Sequence, residues 1–348
     1  MIYLFTEYRL LLMLQTLKIA ILGYGHIGKK HADMVAQSED CELVALIDPK
    51  FITDDYAGLK TPPYFLSLQE FLDSGIKADI VAVCTPNGLH YEQATLLVMH
   101  GIHVIIEKPI SLKSEEAELL EKLASEKQVN IFPVMQNRFS PPAVWLKNLI
   151  DANALGKIYM VQISCFWNRN EHYYEKGSWR GTKNLDGGTL YTQFSHYLDI
   201  MFWLFGDITN IKSKFADFNH SHLTEFEDSG IITFDLKSGG MGSFTFSTSV
   251  WNENLESSLT IIAENGSVKI GGQYMNKVEK CIIKDYIEPE LPETSSANDY
   301  GSFKGSAQNH HHLYQNVIDF LNNGKQIQTT TDDCVKVLKM IEEIYASN

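Results

Sequence analysis

Positive charge is what this sequence has least of. Twenty-nine Lys and Arg stand against 43 Asp and Glu, a net charge of −14. A protein that tracks a phosphate backbone needs clustered cations, so neither nucleic acid nor an anionic membrane surface is expected as a partner. Cysteine is scarce too. Cys41, Cys84, Cys165, Cys281 and Cys334 are odd in number and contain no Cys-x-x-Cys pair. That speaks against a disulfide framework and for free thiols in a reducing, cytoplasmic compartment, and no metal is expected. Long apolar runs are missing as well. Met1 to Leu14 is too short to span a bilayer, is broken by Glu7 and Arg9, and lacks a basic start and a small-residue cleavage site. Residues 1–16 are expected to be an extension, with Met13 as a candidate start. No internal repeat or low-complexity tract is present.

What remains is an ordinary globular composition, 44% hydrophobic and 21% charged over 348 residues. That length favours two domains. From Leu17 to Val134, compact apolar strands alternate with helical stretches. Continuous apolar strands with helices between them form a parallel sheet buried on both faces. Strands are expected at Leu17–Leu22, Cys41–Ile47, Asp79–Cys84, His103–Ile106 and Asn130–Val134. Ser67-x-x-Glu70 reads as a capping box, and Ser114 as the cap of a helix reaching about Lys127. After about Gln136 the pattern changes. A long strand covers Gly156–Trp167, an apolar helix Leu190–Phe205, and strands at hairpin spacing run from Ile208 to Ile283, as in an antiparallel sheet. Glu288–Ser306 reads as a loop, and two helices end the chain. Domains are expected at 17–136 and 137–348.

Gly23-Tyr24-Gly25-His26-Ile27-Gly28 lies between the first strand and the first helix. Glycines at this spacing allow a tight turn, backbone approach to a pyrophosphate, and close helix–strand packing. The helix N-terminus then offers free N–H groups to phosphate. Asp48 ends the second strand at the spacing of a ribose-hydroxyl acceptor, and its carboxylate repels a 2′-phosphate, so NAD is the expected cofactor.

Ligands in such sheets lie beyond the carboxyl ends of the strands. Two further polar clusters fall there: Thr85-Pro86-Asn87, with His90 following, and Glu107-Lys108-Pro109. A lysine at a cleft edge near a cationic nicotinamide has a depressed pKa and can share a proton with a substrate hydroxyl. His196 lies in an apolar helical stretch with Thr192 and Asp199 on its expected face, at i−4 and i+3. A core histidine paired with Asp199 fits the same pattern. Asn137, Arg138, Arg169, Trp179, Arg180 and Gln193 are candidate substrate contacts, since arginines and aromatics in an acidic protein suit an anionic, ring-containing ligand. An interface between domains or subunits uses the same residue types.

Together these motifs resemble the Gfo/Idh/MocA oxidoreductase family from Leu17 onward. The glycine loop, Cys84-Thr85-Pro86-Asn87 with His90, and Glu107-Lys108-Pro109 match its N-terminal signatures. Asp186-Gly187-Gly188 through His196 and Asp199 match its second-domain signature. The resemblance implies an α/β chain: a Rossmann domain with a parallel sheet, then an α/β domain whose open, mainly antiparallel sheet mediates homo-oligomerisation as a dimer or tetramer. It implies catalytic roles for Lys108 and His196, and cofactor contacts from Gly23, Gly25, His26, Ile27, Gly28, Asp48, Thr85, Pro86, Asn87, His90, Glu107 and Lys108. Many members carry an aspartate one helical turn before the histidine. Here Thr192 stands there, which reduces a Lys–Asp–His triad to a Lys–His pair. Gln136-Asn137-Arg138-Phe139, Cys165–Tyr174 and Gly188–His196 look most like UDP-N-acetylglucosaminuronate 3-dehydrogenases of surface-polysaccharide synthesis, with an anionic nucleotide sugar as substrate. A dehydrogenase of a free sugar or cyclitol, and a non-catalytic NAD-binding regulator, are the alternative readings.

Overall fold

The computed structural model describes residues 16–50, 62–175, 177–301 and 303–348. The expected N-terminal extension lies almost wholly outside them. The first sheet has six parallel strands: β1 (Leu17–Leu22), β2 (Cys41–Ile47), β3 (Tyr64–Phe65), β4 (Ile80–Val83), β5 (His103–Ile106) and β6 (Ile131–Pro133). Their order is β3-β2-β1-β4-β5-β6. Between the strands run α1 (His26–Gln37), α2 (Leu68–Asp73), α3 (His90–Met99) and α4 (Ser114–Lys127). Alternate residues of β1 face opposite layers, because strand side chains have a period of two. Ile19 and Ile21 pack with Ala32 and Val35 of α1, whereas Ala20 and Leu22 pack with α3 and α4. Each isoleucine, leucine or valine among them, fully buried, contributes ~1.5–3 kcal/mol.

Ser67 caps α2 as expected: its hydroxyl accepts from Glu70 N–H at 3.2 Å, and the Glu70 carboxylate reaches back to Leu66 N–H at 2.9 Å. The reading of Ser114 as a cap is corrected. Lys113 occupies the cap position of α4, and the Ser114 hydroxyl donates to Glu342 at 2.5 Å instead. That bond ties α4 to the last helix of the chain, a contact 228 residues away that local pattern does not reveal.

The second half opens with α5 (Pro141–Asp151) and builds a seven-stranded sheet. It comprises β7 (Ile158–Phe166), β8 (Ile208–Ala216), β9 (Ser229–Leu236), β10 (Met241–Ser247), β11 (Glu256–Ala263), β12 (Gly266–Gly271) and β13 (Lys277–Ile283), in the order β13-β12-β11-β7-β10-β9-β8. Only the β7–β10 pair is parallel. The helical stretch between β7 and β8 is two pieces, α6 (Thr189–Thr192) and α7 (Ser195–Phe205), not the single helix expected over Leu190–Phe205. Their Phe194, Tyr197 and Leu198 pack on Val161, Ile163, Phe244 and Phe246 of the sheet. The region 288–306 is not wholly a loop. It forms a short hairpin, β14 (Ala297–Asp299) and β15 (Lys304–Ala307). Two helices follow, α8 (His310–Asn323) and α9 (Thr331–Ala346).

Packing crosses residue 136. Leu313, Tyr314, Val317 and Ile318 of α8 complete the α1 face of the first sheet. α9 lies against α4 and α7, bridging both halves. All five cysteines are free. No helix among the described residues is long and apolar enough to cross a membrane.

Arg138, in the turn after β6, fastens the halves together. It is 1% exposed and grips Asp199 of α7 with Nε and one terminal nitrogen, at 2.9 and 2.5 Å. Its other terminal nitrogen donates to Asp333 of α9 at 2.7 Å. Removing one partner of a buried pair leaves the other charge uncompensated. Asp199→Ala is therefore expected to lower stability by ~3–5 kcal/mol, read as a fall in the urea midpoint with NADH still bound by the folded protein.

Candidate active site

The carboxyl ends of β1, β2, β4 and β5 open onto one cleft of about 730 Å³, closed on its far side by the second half of the chain. The glycine loop forms its floor. Gly28 sits so close under the loop that a Cβ would lie 1.8 Å from Gly23 O. Gly25 is the opposite case: a Cβ there meets nothing within 4 Å and points into open space at the start of α1. Among the described residues no side chain caps that helix, so its first N–H groups face the cleft for phosphate oxygens. Asp48 accepts from Tyr24 N–H at 2.7 Å and Lys50 N–H at 2.8 Å, which fixes its carboxylate at the cleft wall. The donor set and the open space at Gly25 fit a dinucleotide.

The expected cofactor residues Gly23, Gly25, His26, Ile27, Asp48, Thr85, Pro86, Asn87, His90, Glu107 and Lys108 all line the cleft. Several have their polar atoms engaged. Asn87 Nδ2 donates to Asp186 O at 2.8 Å and Thr192 Oγ1 at 2.7 Å. The His90 ring lies between Pro109 O and Thr85 O, at 2.7 and 2.8 Å. Glu107 Oε1 meets His31 Nε2 at 3.0 Å and His310 Nε2 at 3.4 Å. Burial pushes the Glu107 carboxyl up, but the two histidines outweigh it and hold it well below the usual carboxylate range. His31, Glu107 and His310 are near enough to share a metal, as are Asp217, His220 and Asp228, yet each trio already satisfies itself by hydrogen bonds. The side chains of Asn87, His90 and Glu107 hold the frame around Lys108.

Lys108 follows β5 and precedes Pro109 through a cis peptide bond. Its Nζ donates across the cleft to the backbone carbonyl of Thr192. Burial lowers its pKa to about 8, against the upward pull of Glu107 and Asp186 and with help from Arg169 and Arg180. His196 stands opposite, 4% exposed. Burial, then the Lys108 charge, hold it well below the usual histidine range, so the ring is neutral. Gln136 Nε2 donates to Ser306 Oγ at 3.0 Å, and Ser306 Oγ lies 3.4 Å from His196 Nε2. The serine oxygen can accept from the Gln136 amide and still meet Nε2 as donor or acceptor, according to the ring tautomer.

His196 and Asp199 lie three residues apart on α7, as expected, but the two do not pair. Asp199 turns away to Arg138, and the break between α6 and α7 removes Thr192 from helical register. Asn137 and Arg138 are corrected as substrate contacts. Both are buried outside the cleft, and Arg138 is enclosed by two carboxylates. The alternative of an interface between domains, open for these residue types from the start, is the one that Arg138 takes.

Arg169, Trp179, Arg180 and Gln193 do line the cleft. The Arg169 guanidinium stacks 4.6 Å from Trp167 and 4.9 Å from Tyr173, and Arg180 lies 4.8 Å from Tyr173 and 4.9 Å from Trp179. Arg169 donates only to neutral oxygens, those of Asn168, Asn254 and Lys304. The Arg180 side chain has no hydrogen-bond partner among the described residues, and neither arginine has an ion pair there. Gln193 Nε2 donates to the Tyr173 hydroxyl at 3.0 Å. The β14–β15 hairpin adds Tyr300 and Phe303 to the wall, residues that sequence reasoning placed in a loop. It reaches the cofactor side: Tyr300 meets the His26 ring edge-on at 5.6 Å, and Lys30 Nζ donates to Asn298 at 2.5 Å. Paired aromatics in a polar stretch were the available signal.

Residues 17–134 match the oxidoreductase family with an NAD-binding Rossmann fold, and residues 144–269 match the GFO/IDH/MocA C-terminal domain. Among solved structures, the chain is similar to the WlbA dehydrogenase from Bordetella pertussis in complex with NADH and UDP-GlcNAcA, at 30% identity, TM-score 0.82 and 96% coverage of both chains. It is also similar to the WlbA dehydrogenase from Chromobacterium violaceum in complex with the same two molecules, at 29% identity, TM-score 0.80, covering 96% of this chain and 94% of that one. A curated relative is the scyllo-inositol 2-dehydrogenase (NADP(+)) IolW of Bacillus subtilis, 29% identical over 55% of this chain and 52% of its own.

The two glycines separate folding from cofactor binding. Gly25→Ala adds a methyl to empty space, so the melting temperature is expected to hold while the NADH dissociation constant, read by fluorescence titration, rises ~10-fold or more. Gly28→Ala drives its methyl into a backbone oxygen and is expected to lower the melting temperature itself.

Proposed function

The chain belongs to the GFO/IDH/MocA oxidoreductases, and from that premise we propose that it oxidises the C3 hydroxyl of UDP-N-acetylglucosaminuronate, with NAD, in surface-polysaccharide synthesis. The observation that carries the reading is the pair Arg169 and Arg180. Two guanidiniums without ion pairs, walled by Tyr173, Trp179 and Phe303, sit in a protein of net charge −14. Arginine presents a planar donor fork suited to carboxylate and phosphate. An acidic nucleotide sugar supplies the missing anions and a base to lie against the aromatics. The likeness to two dehydrogenases bound to UDP-GlcNAcA supports the same substrate.

NAD supplies the hydride acceptor, its nicotinamide C4. His196, neutral, takes the proton of the sugar hydroxyl on its unprotonated ring nitrogen. Lys108 Nζ donates to the same sugar oxygen and stabilises the alkoxide as it forms. Lys108 must be protonated to do this. Its pKa of about 8 lies below that of a free lysine, so activity is present below pH 8 and falls as pH rises through that value. Asp48 and the N-terminus of α1 hold ribose and pyrophosphate. A regulator that only binds NAD has no use for an enclosed proton acceptor beside a lysine. The cyclitol reading draws on the inositol dehydrogenase relative, but leaves Arg169 and Arg180 without an anion.

We further propose that copies of the chain associate through the outer face of the seven-stranded sheet. Met160, Ile231, Met241, Ile262 and Ile282 are exposed there. Contiguous apolar surface of this kind marks an association site. Ile231→Glu is expected to shift the mass seen by light scattering to a smaller species, and an unchanged mass means that another face is used.

Calorimetric titration of the NAD-loaded protein tests the substrate. UDP-N-acetylglucosaminuronate is expected to bind, UDP-N-acetylglucosamine more weakly, and myo-inositol not at all. Arg180→Ala is expected to abolish the preference for the uronate. His196→Ala is expected to retain binding while turnover falls ~10²–10⁴-fold. Binding of myo-inositol alone moves the cyclitol reading ahead.

A further inference from the structure

Asp186 lies in the segment before α6 with no exposed surface. Its Oδ2 accepts from Gly181 N–H at 2.8 Å, and its Oδ1 accepts from the Thr192 hydroxyl. Thr192 is held from two other directions. Asn87 donates to its hydroxyl oxygen at 2.7 Å, and Lys108 Nζ donates to its backbone carbonyl. Asn87 also donates to the Asp186 carbonyl at 2.8 Å. Carboxylate, threonine and ammonium are thus linked in one hydrogen-bonded path from the second half of the chain to the first.

The charges around this path explain why a carboxylate belongs there. Three cations gather on the side of the cleft away from Asp48 and Lys50: Lys108 from the end of β5, Arg169 from the end of β7, and Arg180 from the loop beyond it. Two carboxylates act on Lys108, Glu107 and Asp186. Glu107 is already shared between His31 and His310. His196 faces Lys108 from α7 and is neutral. His90 and His310, packed nearby, are also held below their ordinary range by burial. Asp186 is the carboxylate without a cation of its own.

We propose that Asp186 is a positioning residue for the dehydrogenase reaction, supplying through Thr192 the counter-charge and the anchor that hold the Lys108 ammonium at the reacting oxygen. The proposal rests on the role of Lys108 given above. Burial raises the Asp186 carboxyl to about 6, while Thr192 and Gly181 oppose it. Lys108 titrates at about 8. Both groups are therefore charged between pH 6 and pH 8, and the pair is lost by protonation of Asp186 below that window and by deprotonation of Lys108 above it.

Asp186→Asn keeps the shape and removes the charge. In the NAD-loaded protein, acetylation of Lys108 by acetic anhydride, followed by mass spectrometry against pH, reads its titration without any substrate. The midpoint is expected to fall by about one pH unit, as when an opposite charge a few ångströms away is lost. The alkaline limb of kcat is expected to move down with it while KM for the uronate stays within a factor of about two, since an anchor of the reacting group acts on the chemical step. Should Asp186→Asn fail to bind NADH, Thr192→Val serves instead. It removes the hydrogen bond that keeps Asp186 ionised and is expected to shift the midpoint in the same direction. An unchanged Lys108 midpoint in a variant that binds NADH overturns the proposal. A shifted midpoint with no turnover of the uronate sinks the substrate reading and leaves the Asp186 link standing. Turnover of the uronate with an unmoved midpoint does the reverse.

Discussion

The site depends on an ammonium group placed where water is largely excluded. Lys108 projects from the end of a buried parallel strand into the joint between two sheets, and its Nζ donates to a carbonyl on the other side. Burying a cation is costly unless it is paired and hydrogen-bonded. The surroundings answer that cost in layers. Glu107, adjacent in the chain, is held ionised by two histidines, one from α1 and one from α8. Asp186 acts from the second half. The residual effect of burial leaves Lys108 easier to deprotonate than a free lysine, so its proton is mobile near neutral pH.

The same constraint explains the connectivity. A chain of two independent domains leaves the strand ends of the first open to solvent. Here α8 returns to cover the first sheet and carries His310 to Glu107, while α9 lies across α4 and α7. Arg138 locks this return by gripping α7 and α9 together. The cleft is thereby held as a shaped, low-dielectric space whose polar groups are fixed before any ligand arrives. Such fixed groups are more effective for a developing charge than mobile water.

Charge is distributed unevenly for a purpose that net charge conceals. The protein is acidic as a whole, yet its cleft gathers Lys108, Arg169 and Arg180 on one side and Asp48 on the other. Screening over about a Debye length separates the global field from the local one. Aromatic rings carry the arginines, since a guanidinium stacks on them and still presents its edge.

Much of this was legible in one dimension. Strands β1, β2 and β5 begin and end where apolar runs meet turn residues, because a strand buried on both faces must be continuously apolar. The glycine loop, Asp48, Lys108 and His196 could be picked out because each stands at a strand end or inside an apolar stretch where a polar residue needs a reason. Other assignments depended on partners distant in sequence. Arg138 looked like Arg169 until one was found between two carboxylates and the other against an aromatic wall. Asp199 fitted His196 by helical spacing, and both lie on α7, but Asp199 is taken by a cation 61 residues away. The hairpin carrying Tyr300 and Phe303 is too short and polar for a periodic signal. Asp186 entered only as the first residue of the second-domain signature, with no role of its own. The sequence by itself determined which elements form and which backbone and side-chain groups line the strand ends, since those follow from local sterics and burial of apolar faces. Tertiary structure alone decided which charges meet, because pairing in a low-dielectric interior depends on distances across the fold that no spacing along the chain encodes.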